Sequence, residues 1–198
     1  DEIQHFRTIS SKLFAVSLKP ERFLLLQSYF IITIKSDQLR SILIDKIFQL
    51  LSMSTEQETF ECIYTALQNV LQITELDRFI PFLLRDFDTS FDEVRIALMN
   101  CFDKLFQSDP KKLTDHLTSE IIKLPWYSRL KKFSFPYLVQ YGNEQLFENL
   151  IGSAQDPQMK QFVSKCVISL LGDFDRIAEL NCNSILLQTT IEKVANKI

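Results

Sequence analysis

The stretch from Phe79 to Phe106, FIPFLLRDFDTSFDEVRIALMNCFDKLF, is the strongest constraint on what this chain can fold into. Leu76, Phe79, Ile80, Leu83 and Leu84 recur at helical spacing and so line one face of a helix. Thr74 is the expected N-cap, ahead of Glu75 and Asp77, which suit the positive end of a helix dipole. Pro81 falls inside this helix and should bend or break it, because proline cannot donate a backbone hydrogen bond. Asp88, Thr89 and Ser90 bond readily to their own backbone and predict a tight turn. A second helix then carries Val94, Leu98, Cys101 and Leu105 on one face, flanked by Ala97 and Phe102. The unit is an antiparallel helical hairpin.

Weaker copies run before and after it. Residues 3–17 and 21–35 predict two helices, separated at Lys19-Pro20, the second apolar nearly all round. Residues 38–51 carry Leu39, Ile42, Leu43, Ile47, Leu50 and Leu51. Ser54 and Thr55 are expected to cap the next helix, with Glu58 completing a capping box. That helix bears Phe60, Ile63, Leu67, Val70 and Leu71 and ends near Gln72. Beyond the central hairpin, Ser108-Asp109-Pro110 reads as a stop and restart. A helix over 111–124 follows. The next is expected to open at Pro125 with Trp126 and to be interrupted by Pro136. Gly142-Asn143 marks a turn and a helix C-cap, Leu146 to Ile151 a short helix, and Asp156-Pro157 the start of another that ends at Gly172. Leu187, Ile191, Val194 and Ile198 mark a last helix. The second helices of successive pairs begin near Pro20, Thr55, Phe91, Pro125 and Pro157, at intervals of 35, 36, 34 and 32 residues. A near-constant period of helix pairs without strand signals is the pattern of an α-solenoid.

The central hairpin resembles a HEAT repeat. Pro81 in the first helix, Asp88 in the turn and the pair Val94-Arg95 early in the second helix carry that resemblance, and Ala97 lies one place from the family's usual small residue. Lys160 aligns with Arg95 and Cys166 with Cys101 when the helix after Pro157 is laid on the central one, with Arg129 the nearest equivalent between. The first pair has no Val-Arg match, and armadillo-type hairpins share the same hydrophobic pattern. The resemblance implies an all-α, right-handed α-solenoid of about five hairpins. Residues 1–198 would form one such domain, and a start at Asp1 is what a segment of a longer protein would show. It further implies that Arg95 or its equivalents bond an acidic residue of a neighbouring turn, with Asp88 or Asp92 a member of that ladder.

Composition narrows the chemistry. Only 3 glycines and 6 prolines are present among 198 residues, against 17 phenylalanines, which favours helices packed with large rings. His5 and His116 are isolated, and Cys62, Cys101, Cys166 and Cys182 form no CxxC pair. No zinc site, catalytic triad, phosphate loop or cofactor motif is therefore expected. Cysteines on apolar helix faces predict reduced core thiols and an intracellular chain, cytoplasmic or nuclear. The run Leu24 to Ile34 is too short to span a bilayer and is broken by Gln27 and Ser28, so no membrane insertion is expected. Paired carboxylates such as Asp92-Glu93 stand at a helix start, where capping accounts for them. The chain is not expected to be an enzyme, and no catalytic or metal-binding residue is assigned.

Binding is the remaining class. Lys111, Lys112, Lys123, Arg129, Lys131 and Lys132 face only Asp115 and Glu120 between Pro110 and Lys132, a local +4. Glu75, Asp77, Asp86, Asp88, Asp92 and Glu93 outweigh Arg78 and Arg85, a local −4. The candidate partner-binding residues are Arg95, Lys104, Trp126, Tyr127, Arg129, Lys131, Lys132, Lys160 and Lys165. Solenoids usually hold other proteins, so the expected function is a non-catalytic scaffold or adaptor with a protein partner, in a larger complex. The alternative is nucleic-acid binding on a local basic face, as in HEAT-like DNA glycosylases. A net charge of −3 weighs against it, because phosphate contact needs converging cations. Tubulin binding, as in TOG arrays, uses loops along one edge, and Trp126 stands at the wrong end of its repeat for that.

Overall fold

A computed structural model describes residues 37–53, 57–154 and 156–171, together with Gln4, Thr8 and Glu192. All regular structure among these residues is helical. The helices expected over 3–17, 21–35 and 187–198, and the cap at Ser54 and Thr55, lie outside the described residues. The chain divides into two compact units, Asp1–Ser108 and Asp109–Ile198.

In the first unit, α1 (Asp37–Met53) and α2 (Gln57–Val70) form one hairpin, and α3 (Leu76–Asp86) and α4 (Asp92–Ser108) form the next. The apolar stripes explain the packing. Helix α1 buries Leu43, Ile47 and Leu51, α2 buries Ile63 and Leu67, and α4 buries Val94, Leu98, Cys101 and Leu105. The longest interface lies between α2 and α4, the second helices of the two pairs.

Two local expectations change. Thr74 does not cap α3. A 3-10 turn, Ile73–Glu75, precedes the helix, and Thr74 Oγ1 donates to Glu75 Oε1 at 2.9 Å. Glu75 also accepts from the Gln72 amide at 2.9 Å and pairs with Arg40 at 3.0 Å, so a carboxylate expected on the surface is buried. Pro81 does not break α3 either. The carbonyl that its missing amide would have met is that of Asp77, and both residues are on the exposed face, open to water.

A buried polar cluster ties all four helices. The Tyr64 hydroxyl on α2 donates to Asp86 Oδ2 on α3, and Arg85 Nη2 donates to the same oxygen at 2.7 Å. Arg85 Nη2 also reaches the Leu51 carbonyl of α1 at 3.1 Å. Cys101 Sγ on α4 lies 3.5 Å from the Tyr64 carbonyl, a weak donor contact. Burial, with the Asp86 hydrogen bond added, pushes the Tyr64 phenol far up, so it stays a donor at every ordinary pH. The Arg85 guanidinium lies 5.3 Å from the Phe60 ring and 5.0 Å from the Phe82 ring, so it is held by aromatic faces as well as by Asp86.

In the second unit, α5 (Pro110–Ile121) and α6 (Arg129–Leu138) pair, a 3-10 turn spans Val139–Tyr141, and α7 (Glu144–Ser153) leads to α8 (Lys160–Leu171). Helices α5, α6 and α7, and the 3-10 turn Pro157–Met159 that leads into α8, each start from a cap. Asp109 accepts from the Lys112 amide at 2.9 Å, Ser128 from Lys131 at 3.1 Å, Asn143 from Leu146 at 3.3 Å, and Asp156 from Gln158 at 2.9 Å. Helix α6 packs on α5 and on α8. It begins at Arg129, not at Trp126, because Pro125 to Ser128 close a turn through a 2.9 Å backbone bond and Ser128 takes the cap position. Pro136 does not interrupt α6, for the reason that holds at Pro81: the carbonyl it fails to reach is that of the exposed Lys132.

The Asp86 cluster yields a stability order. Asp86→Ala leaves a buried phenol and a half-buried guanidinium without their acceptor and should lower unfolding free energy by about 3 kcal/mol. Tyr64→Phe, which leaves the ion pair, should cost about 2 kcal/mol. Urea unfolding checks both, and the double variant should be little worse than Asp86→Ala alone.

Candidate functional site

The structure sorts the nine candidate residues, seven cations and two aromatics, by what their side chains touch. In the first unit, Arg95 is largely buried. It pairs with Asp92 one helical turn before it and donates to the Ser90 carbonyl, so its charge is held inside its own hairpin. Lys104 donates to the carbonyls of Gln68 and Asn69 at 2.7 and 2.8 Å. These carbonyls end α2, where no further turn supplies donors and the helix dipole is negative. Partial burial lowers the Lys104 pKa.

In the second unit, Lys131 is the largest departure from expectation. It was expected on a binding surface, but it is 1% exposed. Its Nζ sits 3.7 Å from the Trp126 ring centroid and donates to the carbonyls of Ile122 and Leu124 at 3.1 and 3.0 Å. The fourth residue of an N-terminal motif has thus turned inward to hold the turn that precedes its helix. Trp126 packs on Phe135 at 5.6 Å and edge-on against Phe162 at 5.0 Å, which places the turn against both α6 and α8. Tyr127, by contrast, is 81% exposed. Arg129, Lys132, Lys160 and Lys165 are exposed as well.

The two charge clusters read from sequence also separate. Within the acidic stretch, Glu75, Asp86 and Asp92 are paired with Arg40, Arg85 and Arg95. Within the basic stretch, Lys123 pairs with Glu120 at 3.0 Å and Lys131 is internal. The exposed cations of α6, Arg129 and Lys132, share a stripe with Phe133, Pro136, Tyr137 and Gln140 at three- and four-residue spacing. That stripe borders a groove of about 450 Å³ lined by Pro136, Tyr137 and Gln140 on one side and Lys165, Ile168 and Ser169 of α8 on the other. Of the lining residues, Lys165 alone is among the nine candidates. Ile168, missed entirely, is 68% exposed. The one signal for it was an isoleucine off the Phe162, Val163 and Cys166 stripe.

Cys101 and Cys166 are buried free thiols, and Cys62 is half-buried. Burial pushes the Cys166 thiol up to about 12 and raises Cys101 further, which makes both poor nucleophiles. Among the described residues, no three metal-ligating side chains cluster and no helix is long and apolar enough to cross a membrane.

The Lys131 clasp predicts a pH response. Burial pushes its pKa from 10.5 down to about 8. Both states are protonated below that pH. Above it the folded chain sheds the proton while the unfolded chain keeps it to about 10.5, so stability should rise with pH across this window. Trp126 is the only tryptophan, so its emission should change through a transition centred near pH 8 in the wild type and stay flat in Lys131→Met. Urea unfolding at about pH 7 and about pH 9.5 should show the gain in the wild type alone.

Compared with protein-family models, with curated proteins and with solved structures, the chain matches none.

Proposed function

We propose that this chain is a HEAT-like helical-repeat scaffold that holds a protein partner without catalysis, as a subunit or segment of a larger intracellular complex. The observation that carries the reading is the repeated packing of second helices: α2 on α4 in one unit and α6 on α8 in the other. Stacked hairpins of this kind bury one helix row as a continuous core and leave side chains of the outer faces for binding. The equivalence of Cys101 and Cys166, both fully buried, supports the same register in the two units. The buried free thiols Cys101 and Cys166 support a reducing compartment. The buried ionisable groups support a structural assignment, since Tyr64, Asp86 and Arg85 join helices to one another.

Nucleic-acid binding is the second reading, and one observation favours it: exposed Tyr127 stands beside the exposed Arg129 and Lys132. Aromatic and cationic side chains together serve single-strand recognition. The retreat of Lys131 into the core removes one of the cations on which that reading relied.

Affinity purification from the native cell separates the two. The comparison is wild type against Arg129→Glu/Lys132→Glu, with Lys131 left intact so that the fold is not disturbed. A protein should be recovered after nuclease treatment and its recovery should fall severalfold on charge reversal. Loss of all recovered material to nuclease alone would replace the scaffold reading with the nucleic-acid one.

A further inference from the structure

The groove between α6 and α8 carries more information than its position. Helix α6, RLKKFSFPYL, and helix α8, KQFVSKCVISLL, hold Arg129, Lys131, Lys132, Lys160 and Lys165 and not one carboxylate. The whole chain has a formal charge of −3, so this pair of packed helices is a segregated basic element in an acidic protein. Four of its five cations are exposed. Cations in the first turn of α6 also oppose the helix dipole, where carboxylates would stabilise it. Neither helix carries an acid to offset these cations, and an anionic partner would supply one.

The centre of the groove is apolar. Pro136, Tyr137 and Ile168 line it, and Ile168 remains 68% exposed although it lies on a helix whose other face is fully packed. Its volume, about 450 Å³, is within the range of sites that seat apolar side chains with a few polar contacts. Gln140 and Ser169 supply such contacts at the wall, and Lys165 stands at the wall as its cation.

We propose that this groove is the docking site for an acidic amphipathic segment of a protein partner, its apolar residues seated on Ile168 and Tyr137 and its carboxylates facing Lys165, Lys132 and Arg129. The inference rests on the scaffold reading and names the chemistry of the partner it would hold. The aliphatic surface at Ile168 suits Leu and Phe side chains better than the flat faces of bases, which stack on aromatic rings. It suits a helix that lays an apolar stripe into a groove between two others. Cations at the rim give rate and specificity, and the apolar anchor gives residence time.

The test uses the full chain and fluorescence anisotropy. The probe is a fluorescein-labelled synthetic peptide with Glu on one helical face and Leu and Phe on the other. Two competitors accompany it: the same peptide with Leu and Phe replaced by Ala, and single-stranded DNA. The first peptide should bind, salt should weaken it, and the Ala peptide should bind at least about tenfold more weakly. Ile168→Asp and Lys165→Glu should each raise the Kd at least about tenfold. Both positions are exposed, so helix content by circular dichroism should be unchanged. Equal binding of the Ala peptide or of DNA would reduce the groove to a nonspecific basic patch and overturn the proposal. Binding that survives Ile168→Asp would overturn it as well. Native-cell purification with Ile168→Asp keeps the two readings apart. A protein partner retained at full recovery would sink the groove while leaving the scaffold standing.

Discussion

The first unit depends on one buried carboxylate. Asp86 accepts from Tyr64 and Arg85 in the middle of an otherwise apolar interface, and through Arg85 and Tyr64 it reaches backbone on α1 and a contact to α4. A lone carboxylate there would be prohibitively costly, while two donors on fixed helices convert it into a directional lock. Apolar stripes alone would permit α1, α2 and α3 to slide in register. A phenol, a carboxylate and a planar guanidinium cannot satisfy one another in more than a narrow set of helix positions.

The second unit uses a cation in the same role. Lys131 bonds two carbonyls beyond the end of α5 and places its ammonium on the Trp126 face, so the turn, α6 and α8 meet around one aromatic cluster. Both units thus place an ionisable group inside, satisfied by backbone carbonyls and rings or by a neighbouring hydroxyl. The charges left outside are then fewer and more sharply placed than a count along the chain implies. Glu75, Asp86 and Asp92 of the acidic run are paired with arginines, and four exposed cations with no acid among them lie on α6 and α8. That concentration beside an apolar groove links the packing to the proposed binding role.

Much of this was legible from residue order, because helices follow local rules. The hairpin at Phe79 to Phe106 has its turn at Asp88 to Ser90 and its buried stripe of Val94, Leu98, Cys101 and Leu105 where periodicity puts them. The restarts at Asp109-Pro110 and Asp156-Pro157 fall where each Asp accepts from an amide two or three residues on, whereas Asn143, read with Gly142 as a helix C-cap, is the N-cap of α7. Prolines were less legible. Whether Pro81 and Pro136 break a helix turns on whether the orphaned carbonyl faces water, and that depends on which face packs.

Sequence by itself determined the all-helical character, the position of most helices and the identity of the apolar stripes, since these arise from spacing within one or two turns. Only tertiary structure decided which charges stayed outside. Asp86 and Lys131 look like surface residues because their partners, Tyr64 and the carbonyls of Ile122 and Leu124, are brought to them by packing and not by neighbouring positions in a periodic pattern. The groove at Ile168 was hidden for the same reason. A residue off its own helix's buried stripe becomes part of a site only when a second helix, α6, is set beside it.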